Sequence, residues 1–262
     1  MLPMNTRLRN PRRSLVSSPV SAPVSSYQPF SPLALQPRLW LDAADASTIT
    51  ASSGAVSEWR DKSGNGYAFT QATSTAQPTT GTTTQNGLNV ISFDGGDLLA
   101  STAASSEWRF LHDGTPYIVA SVARRNTSGV NGTIFGTLSG GNTTGGGIRW
   151  LANGNTISHF VSAFNASAAP PLNVVNNNIA AGTTTAARVI SLLSRPSQST
   201  ASERSGLWVD GEFEQNLNTD TNAATTANPS QTAAVGNRLG TALALTGYHR
   251  RNRGSHRLCG HP

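Results

Sequence analysis

The chain has 262 residues, of which only 12% are charged, and 25 are glycine and 14 proline, whereas an average soluble domain has about 25% charged residues. The net charge is +6, but nine of the nineteen basic residues lie in residues 1–38 and 247–262, which leaves ten basic residues against thirteen acidic ones between them. These values exclude a mainly helical fold, a disordered chain and a basic binding face on the central part.

Residues 1–37 are predicted to form an extended arm, because frequent prolines prevent both a continuous helix and a central strand. Two interpretations stay open: a disordered, solvated leader, or an arm that grips a neighbouring subunit. The segment lacks the apolar core of a signal peptide, so we expect synthesis in a cytoplasm without a cleaved leader. The residues that would contact a partner are Arg7, Arg9, Arg12, Arg13, Tyr27 and Phe30.

The globular part is predicted to begin at the segment RLWLDA, Arg38–Ala43, where Leu39 and Leu41 alternate with Trp40 as in a strand with one buried face. Short apolar segments bounded by Gly, Asn, Thr or Pro follow, and SEWRFLHDG is predicted to be a short helix or turn. Ten to twelve such strands predict an all-β, two-sheet antiparallel sandwich. The further predicted strands are AVSEWR, YAFTQA, LNVISFDG, PYIVASVAR, GTIFGTL, GIRWLA, ISHFVSAF, ARVISLL and GLWVDGEFE.

Three of these segments carry a family resemblance. LWLDAADASTIT, VSEWRDKSGNG and LNVISFDGGDLL, in this order, resemble the concanavalin A-like, laminin G-like jelly-roll domains of phage virion proteins and bacterial surface proteins. The resemblance covers residues 38–247 and implies a jelly-roll sandwich. The lead-in FSPLAL and the missing export signal are most similar to the phage members.

The resemblance implies a non-enzymatic virion protein on a head or tail surface, anchored by its arm to other virion proteins and to copies of itself. The alternative is a carbohydrate-binding module that attaches a particle to host surface glycans. A degraded glycosidase is a third possibility. The sequence indicates no membrane partner, since no apolar run approaches the roughly 20 residues that span a bilayer.

Residues 248–262 do not match the rest of the chain. In the resembled family the sheet closes with a strand reading roughly Gly-x-Ile-Ala-Glu-Ile-Val, whereas Gly247 is followed here by Tyr-His-Arg-Arg-Asn-Arg. Read one base later, these codons permit the family's residues at the same spacing. We therefore expect the chain after about Gly247 to be out of frame.

The tail offers two other interpretations, and both are weak. His249, His256, His261 and Cys259 fit no standard zinc spacing. The tail's four arginines lack interleaved aromatics, so they would give only salt-sensitive attraction to phosphates. A nucleic-acid partner is accordingly not expected.

Two candidate ligand sites remain. Asp42, Asp45, Asp61 and Asn65 offer oxygen ligands for calcium, although Asp and Asn also cap turns, and no other cofactor is expected. Trp150 with Asn153 and Asn155 is the candidate carbohydrate platform, Trp108 and Trp208 being the other available indoles. Trp40, Trp59 and Trp208 lie in strand patterns and are assigned to the core.

Catalysis is not expected. A glycosidase needs two carboxylates across a cleft, and the nearest arrangement is Asp210, Glu212 and Glu214 at a spacing of two, which we interpret as a solvated hairpin. No nucleophile, phosphate-binding or metalloprotease motif is present. The chain is therefore predicted not to be an enzyme.

Overall fold

A computed structural model describes residues 31–124, 132–137, 144–151, 156–162, 179–180, 187–195, 198–200, 203–215, 226–236 and 246–248. The chain divides into two compact units, Met1–Ser31 and Pro32–Pro262, and the description below concerns the second. The predicted arm contacts, Arg7 to Phe30, lie outside the described residues, as does the tail after Tyr248.

The second unit is almost entirely β-structure. The short 3-10 helices are Pro32–Leu35, Ala46–Thr48, Ser74–Ala76 and Ser105–Leu111. In chain order the strands of the described residues are β1 (Ile49–Ser52), β2 (Ala55–Arg60), β3 (Ala68–Thr70), β4 (Thr79–Gln85), β5 (Leu88–Ser92), β6 (Leu98–Ser101), β7 (Tyr117–Arg124), β8 (Gly132–Gly136), β9 (Gly145–Leu151), β10 (Thr156–Ser162), β11 (Ile179–Ala180), β12 (Arg188–Ser194), β13 (Ser205–Val209), β14 (Glu212–Gln215), β15 (Ala234–Gly236) and β16 (Thr246–Tyr248). None of the described helices has the length and apolar character needed to cross a bilayer.

The strands form an antiparallel, two-layered jelly-roll sandwich, as predicted. One layer has the order β11-β10-β9-β8-β15-β6-β3, and the other has the order β5-β16-β7-β12-β13-β14. β2 and β4 connect the two layers, and β1 pairs with β2. The strand order therefore brings segments far apart in sequence together, with β16 lying between β5 and β7.

Alternating side chains from both layers fill one core. Ile190 and Leu192 of β12 face the same apolar cluster as Ile148 of β9 and Ile157 of β10, and all four are fully buried. The period of two predicted for these segments is confirmed, because the residues between the buried ones on β12 are only half-buried. The helix predicted at SEWRFLHDG is the 3-10 helix Ser105–Leu111.

Two aspects of the strand prediction are wrong. The segment Arg38–Ala43 belongs to no sheet, because its backbone bonds to a turn instead: Trp40 N donates to Asp61 Oδ1 over 2.8 Å, and Lys62 N donates to the Trp40 carbonyl over 2.8 Å. The Thr-rich β4 is a strand that the sequence pattern missed, since none of its residues is buried and it has no apolar face; it is a strand through its pairing with β5. Leu39 and Leu41 nevertheless pack against the core.

Candidate functional site

The candidate site is the face of β7, β12, β13 and β14 that points away from the core; it is called here the outer face. The inner positions of these strands fill the core, so the alternate positions point away from it. Antiparallel register places Ala120 beside Ser191, Ser191 beside Trp208, and Trp208 beside Phe213, as one row across the four strands. A second row joins Ile118, Leu193 and Gly206.

One row of the outer face presents two small residues, Ala120 and Ser191, followed by two aromatic rings, Trp208 and Phe213. Ile118 is 72% exposed and Phe213 52% exposed, whereas Trp208 is half-buried. The rings of Trp208 and Phe213 lie with centroids 5.2 Å apart at an interplanar angle of 57°. The two rings therefore form a paired aromatic surface on the last two strands of this layer, β13 and β14.

Gly206 permits the placement of the indole. A Cβ built at this position would lie 2.7 and 2.9 Å from two carbon atoms of the Trp208 ring. The indole therefore lies against the backbone of β13, and a larger side chain at Gly206 would lift it from the sheet. The position of the Trp208 ring is thus fixed by close packing against the backbone.

Charged groups border the aromatic pair at the β13–β14 turn. Asp210 and Gly211 both have positive φ, 54° and 90°, as the two-residue hairpin with an Asp-Gly sequence requires. The turn is fixed by Asp210 Oδ1, which accepts from Val189 N over 2.8 Å, and by an ion pair from Arg188 Nε to Asp210 Oδ2 at 3.1 Å. Glu212 is exposed beside them.

The structure changes the assignment of two tryptophans. Trp208, assigned to the core from its strand pattern, lies on the outer face because Leu207 and Val209 on either side of it are the buried residues. Trp108, grouped with the available indoles, is fully buried in the core. The alternation around Trp208 signals that its side chain and those of Leu207 and Val209 lie on opposite faces, and the position of the other layer shows which face is the core.

The carbohydrate platform predicted from sequence remains a prediction. Trp150 belongs to β9 and pairs with Ile157 and Gly132 through its backbone. Its side chain, Asn153 and Asn155 lie outside the part of the chain that is described. The described backbone places Trp150 in a different sheet from the outer face.

The structure brings together two of the four predicted calcium ligands, Asp42 and Asp45, around an ammonium group. Lys62 Nζ lies 3.0 Å from Asp42 Oδ2 and 2.6 Å from Asp45 Oδ2, and 4.5 Å from the centroid of the Trp40 ring. Hydrogen bonds from Lys62 and then Ser47 lower the pKa of Asp45 to about 2. Burial alone would lower the pKa of Lys62, but the bonds to both carboxylates outweigh it and the pKa is raised.

The other two predicted calcium ligands shape a turn. Asp61 accepts from Trp40 N and Ser63 N, both at 2.8 Å, and Asn65 Nδ2 donates to the Arg38 carbonyl over 3.0 Å. Within the described residues no group of three or more His, Cys, Asp or Glu side chains is arranged to hold a metal. Turn formation thus accounts for these contacts, and calcium binding stays a prediction.

Replacing Lys62 with methionine is expected to lower the free energy of unfolding by about 2 kcal/mol, because Asp42 would then be a buried carboxylate without its cation. Partial exposure of the Lys62 side chain, 20%, keeps the loss below that of a fully buried pair. Urea denaturation measures this loss of unfolding free energy. The matched control is Arg60→Met, whose partner Glu58 is on the surface, and equal losses in both variants would contradict this account.

Comparisons with known proteins give similarity at the level of structure alone. No family profile matches the chain, and no curated protein matches it. The carbohydrate-binding module CBM40 of the Ruminococcus gnavus IT-sialidase is 10% identical, with a TM-score of 0.33 over 56% of this chain and 80% of that one.

Two sialidase structures from Trypanosoma rangeli are also similar. The complex with 2,3-difluorosialic acid is 12% identical with a TM-score of 0.42 over 80% of this chain, and a mutant displaying trans-sialidase activity is 13% identical with a TM-score of 0.38 over 78%. The chain spans 32% and 30% of the lengths of these two proteins.

Proposed function

We propose that the protein is a carbohydrate-binding β-sandwich and that the outer face holds the glycan. The observation that carries this proposal is the pairing of the Trp208 and Phe213 rings on the outer face, where Phe213 is 52% exposed and Trp208 half-buried. The C–H groups on one side of a pyranose ring are weakly positive, and they pack on the negative π-face of an aromatic ring. Neighbouring polar groups then select among hydroxyl positions.

The charged group nearest the rings in the chain suits hydroxyls rather than acids. Asp210 lies in the turn that joins the two ring-bearing strands, and Arg188 is already paired with it. A glycan carboxylate placed here would face like charge, whereas neutral hydroxyls would donate hydrogen bonds to the Asp210 carboxylate. The proposed ligand is therefore a neutral glycan, and sialylated glycans are expected to bind more weakly.

The virion role implied by the family resemblance remains a prediction of the sequence. It depends on residues 1–37, and the arm contacts proposed there lie outside the described residues. The outer face does not require that role, since a glycan-binding module functions in many settings. Attachment of a particle to host glycans would join the two.

Trp208→Ala is expected to weaken binding of a neutral glycan at least about tenfold, because one lost aromatic contact of roughly 1.4 kcal/mol corresponds to that factor. A glycan array with neutral and sialylated members identifies the ligand, and titration calorimetry measures the affinity. Leu35→Ala is the control, since Leu35 is 73% exposed on the 3-10 helix Pro32–Leu35 rather than on the outer face. Equal affinity of both variants, or no bound glycan at all, would overturn the proposal.

A further inference from the structure

A cavity of about 480 Å³, called here the inter-sheet cavity, lies between the two layers of the sandwich. One wall is β7, whose residues from Tyr117 to Ala123 all line the cavity. Ile134 and Phe135 of β8 and Val235 of β15 belong to the facing wall in the other layer. Native cores seldom contain voids much larger than a water molecule, whereas pockets for small ligands have volumes of roughly 300–1,000 Å³. The inter-sheet cavity therefore has the size of a ligand pocket.

The inter-sheet cavity reaches the surface, since two of the residues that line it are exposed. Ile118 is 72% exposed, and the Arg38 side chain is 48% exposed. Val119 and Ser121 lie on the same strand face as the buried Tyr117, yet both are only half-buried, and both line the cavity. A small molecule can therefore reach the inner side of β7 from solvent without separation of the two layers.

Polar atoms on three residues that line the cavity are buried and have no hydrogen-bond partner among the described residues. They are the indole Nε1 atoms of Trp59 and Trp108 and the hydroxyl oxygen of Ser121. Both tryptophans are more than nine-tenths buried, at 5% and 0% exposure. A buried donor without an acceptor is costly, and native proteins contain few of them. An acceptor inside the cavity would remove this cost, which points to a ligand that carries one.

The walls of the cavity favour a ligand that is neutral and mainly apolar. Most of the described lining side chains are aliphatic or aromatic, including Leu39, Leu41 and Phe93. Arg38 is the only charged residue among them, and its guanidinium is paired with Glu107 Oε2 at 2.7 Å. A charged group inside the cavity would lose its hydration without gaining a counter-ion. Transfer of apolar surface from water into the cavity is favourable.

We propose that the inter-sheet cavity binds a small, neutral, mainly apolar molecule with a hydrogen-bond-accepting oxygen, such as an aryl ketone, and that the indole N–H of Trp59 or Trp108 donates to that oxygen. Walls from both layers surround the molecule, so the site suits a small molecule rather than the surface of a second protein. The aromatic pair of the outer face, Trp208 and Phe213, is not among the described residues that line the cavity. The proposal is therefore independent of glycan binding.

The test uses two probes of nearly the same shape: acetylnaphthalene, an aryl ketone, and ethylnaphthalene, in which a methylene group replaces the carbonyl. Equilibrium dialysis of the full-length protein measures both dissociation constants, and the change in their ratio between protein variants cancels the contribution of the apolar rings. We expect both probes to bind. The ratio of the ketone's constant to the hydrocarbon's should rise about tenfold in Trp59→Phe or in Trp108→Phe, because phenylalanine keeps a ring but removes the donor.

Two further variants locate the probes in the protein. Trp208→Phe is the matched control, because it makes the same substitution on the outer face, and it should leave both dissociation constants unchanged. Val119→Phe enlarges a half-buried side chain on the inner side of β7 and should weaken both probes at least about tenfold by filling the cavity. Binding of the hydrocarbon probe to Trp59→Phe and Trp108→Phe shows that their cavity is intact, so that a changed ratio does not arise from unfolding.

Three results would contradict the proposal. If neither probe binds the original protein, the cavity accepts no apolar ligand. If the ratio is unchanged in both Trp59→Phe and Trp108→Phe, the indole donors have no part in recognition. If binding is lost in Trp208→Phe but kept in Val119→Phe, the probes occupy the outer face instead of the inter-sheet cavity.

Discussion

Replacing Trp108 with alanine is expected to lower the free energy of unfolding by about 3–5 kcal/mol, which is a large share of the stability of a single domain. Trp108 has no exposed surface, and its ring contacts those of Tyr67 at 4.9 Å, Phe135 at 5.6 Å and Phe69 at 5.9 Å between centroids. Removing the indole would enlarge the inter-sheet cavity that it already lines, and the surrounding strands are too constrained to close it. Equilibrium denaturation in urea measures the loss.

Trp208→Ala is the matched control for this experiment, because it removes the same side chain from the outer face. Trp208 is half-buried and contacts Phe213 rather than the core. Trp208→Ala should therefore lower the free energy of unfolding by less than about 2 kcal/mol, and it should also weaken glycan binding. Similar destabilisation by the two substitutions would contradict the assignment of one indole to the core and the other to a binding surface.

The contrast between these two tryptophans shows how much of their burial the sequence predicts. Strand alternation predicts that the Trp208 side chain points to the opposite face of the strand from those of Leu207 and Val209. It does not tell which of the two faces is the core until the other sheet is known. Trp108 lies in a 3-10 helix, Ser105–Leu111, where a period of two does not apply. Its burial results from packing against β3 and β8, which lie far from it in sequence.

The candidate site was less predictable than the fold for a related reason. The two-layer sandwich follows from local patterns of alternation and turn residues, which are properties of short segments. The outer face is assembled from β7, β12, β13 and β14, and its rows exist only through the cross-strand register of Ala120, Ser191 and Trp208. No single segment carries the chemistry of that face, so a search for local motifs favoured Trp150 instead.

The segment Arg38–Ala43 illustrates a further limit. Its alternation of Leu39 and Leu41 is genuine, and both side chains pack against the core. The alternation does not specify a hydrogen-bonding partner, and here the backbone bonds to the Asp61 side chain and to Lys62 rather than to a strand. Patterns of burial thus predicted the side chains correctly and the backbone class wrongly.

Acidification is expected to destabilise the protein through His159, a fully buried residue of β10 whose Nε2 lies 2.9 Å from the Tyr117 hydroxyl of the opposite layer. Burial lowers the pKa of His159 from 6.5 to about 4. Below pH 6.5 the unfolded chain binds a proton that the folded protein does not, so stability falls until about pH 4. The loss amounts to about 3 kcal/mol, at roughly 1.4 kcal/mol for each pH unit.

Within the part of the chain that the structure describes, two other groups with shifted pKa values titrate in the same window. Burial also lowers the pKa of His112, which adds to the loss on acidification. Burial raises the pKa of Asp97 to about 6, so its contribution has the opposite sign: it is present at low pH and disappears as the pH rises toward 6. A pH profile of the original protein alone would therefore mix the effect of His159 with those of other titrating groups.

The variant His159→Gln isolates the histidine, because an amide oxygen can still accept from the Tyr117 hydroxyl but does not titrate. Unfolding free energies of both proteins are measured by denaturation at half-unit steps from about pH 7.5 to 4. As the pH falls from 6.5 to 4, the unfolding free energy of the original protein should decrease by about 3 kcal/mol more than that of the variant. Parallel profiles would show that His159 gains its proton without loss of the fold, and hence that water reaches the contact between the two layers.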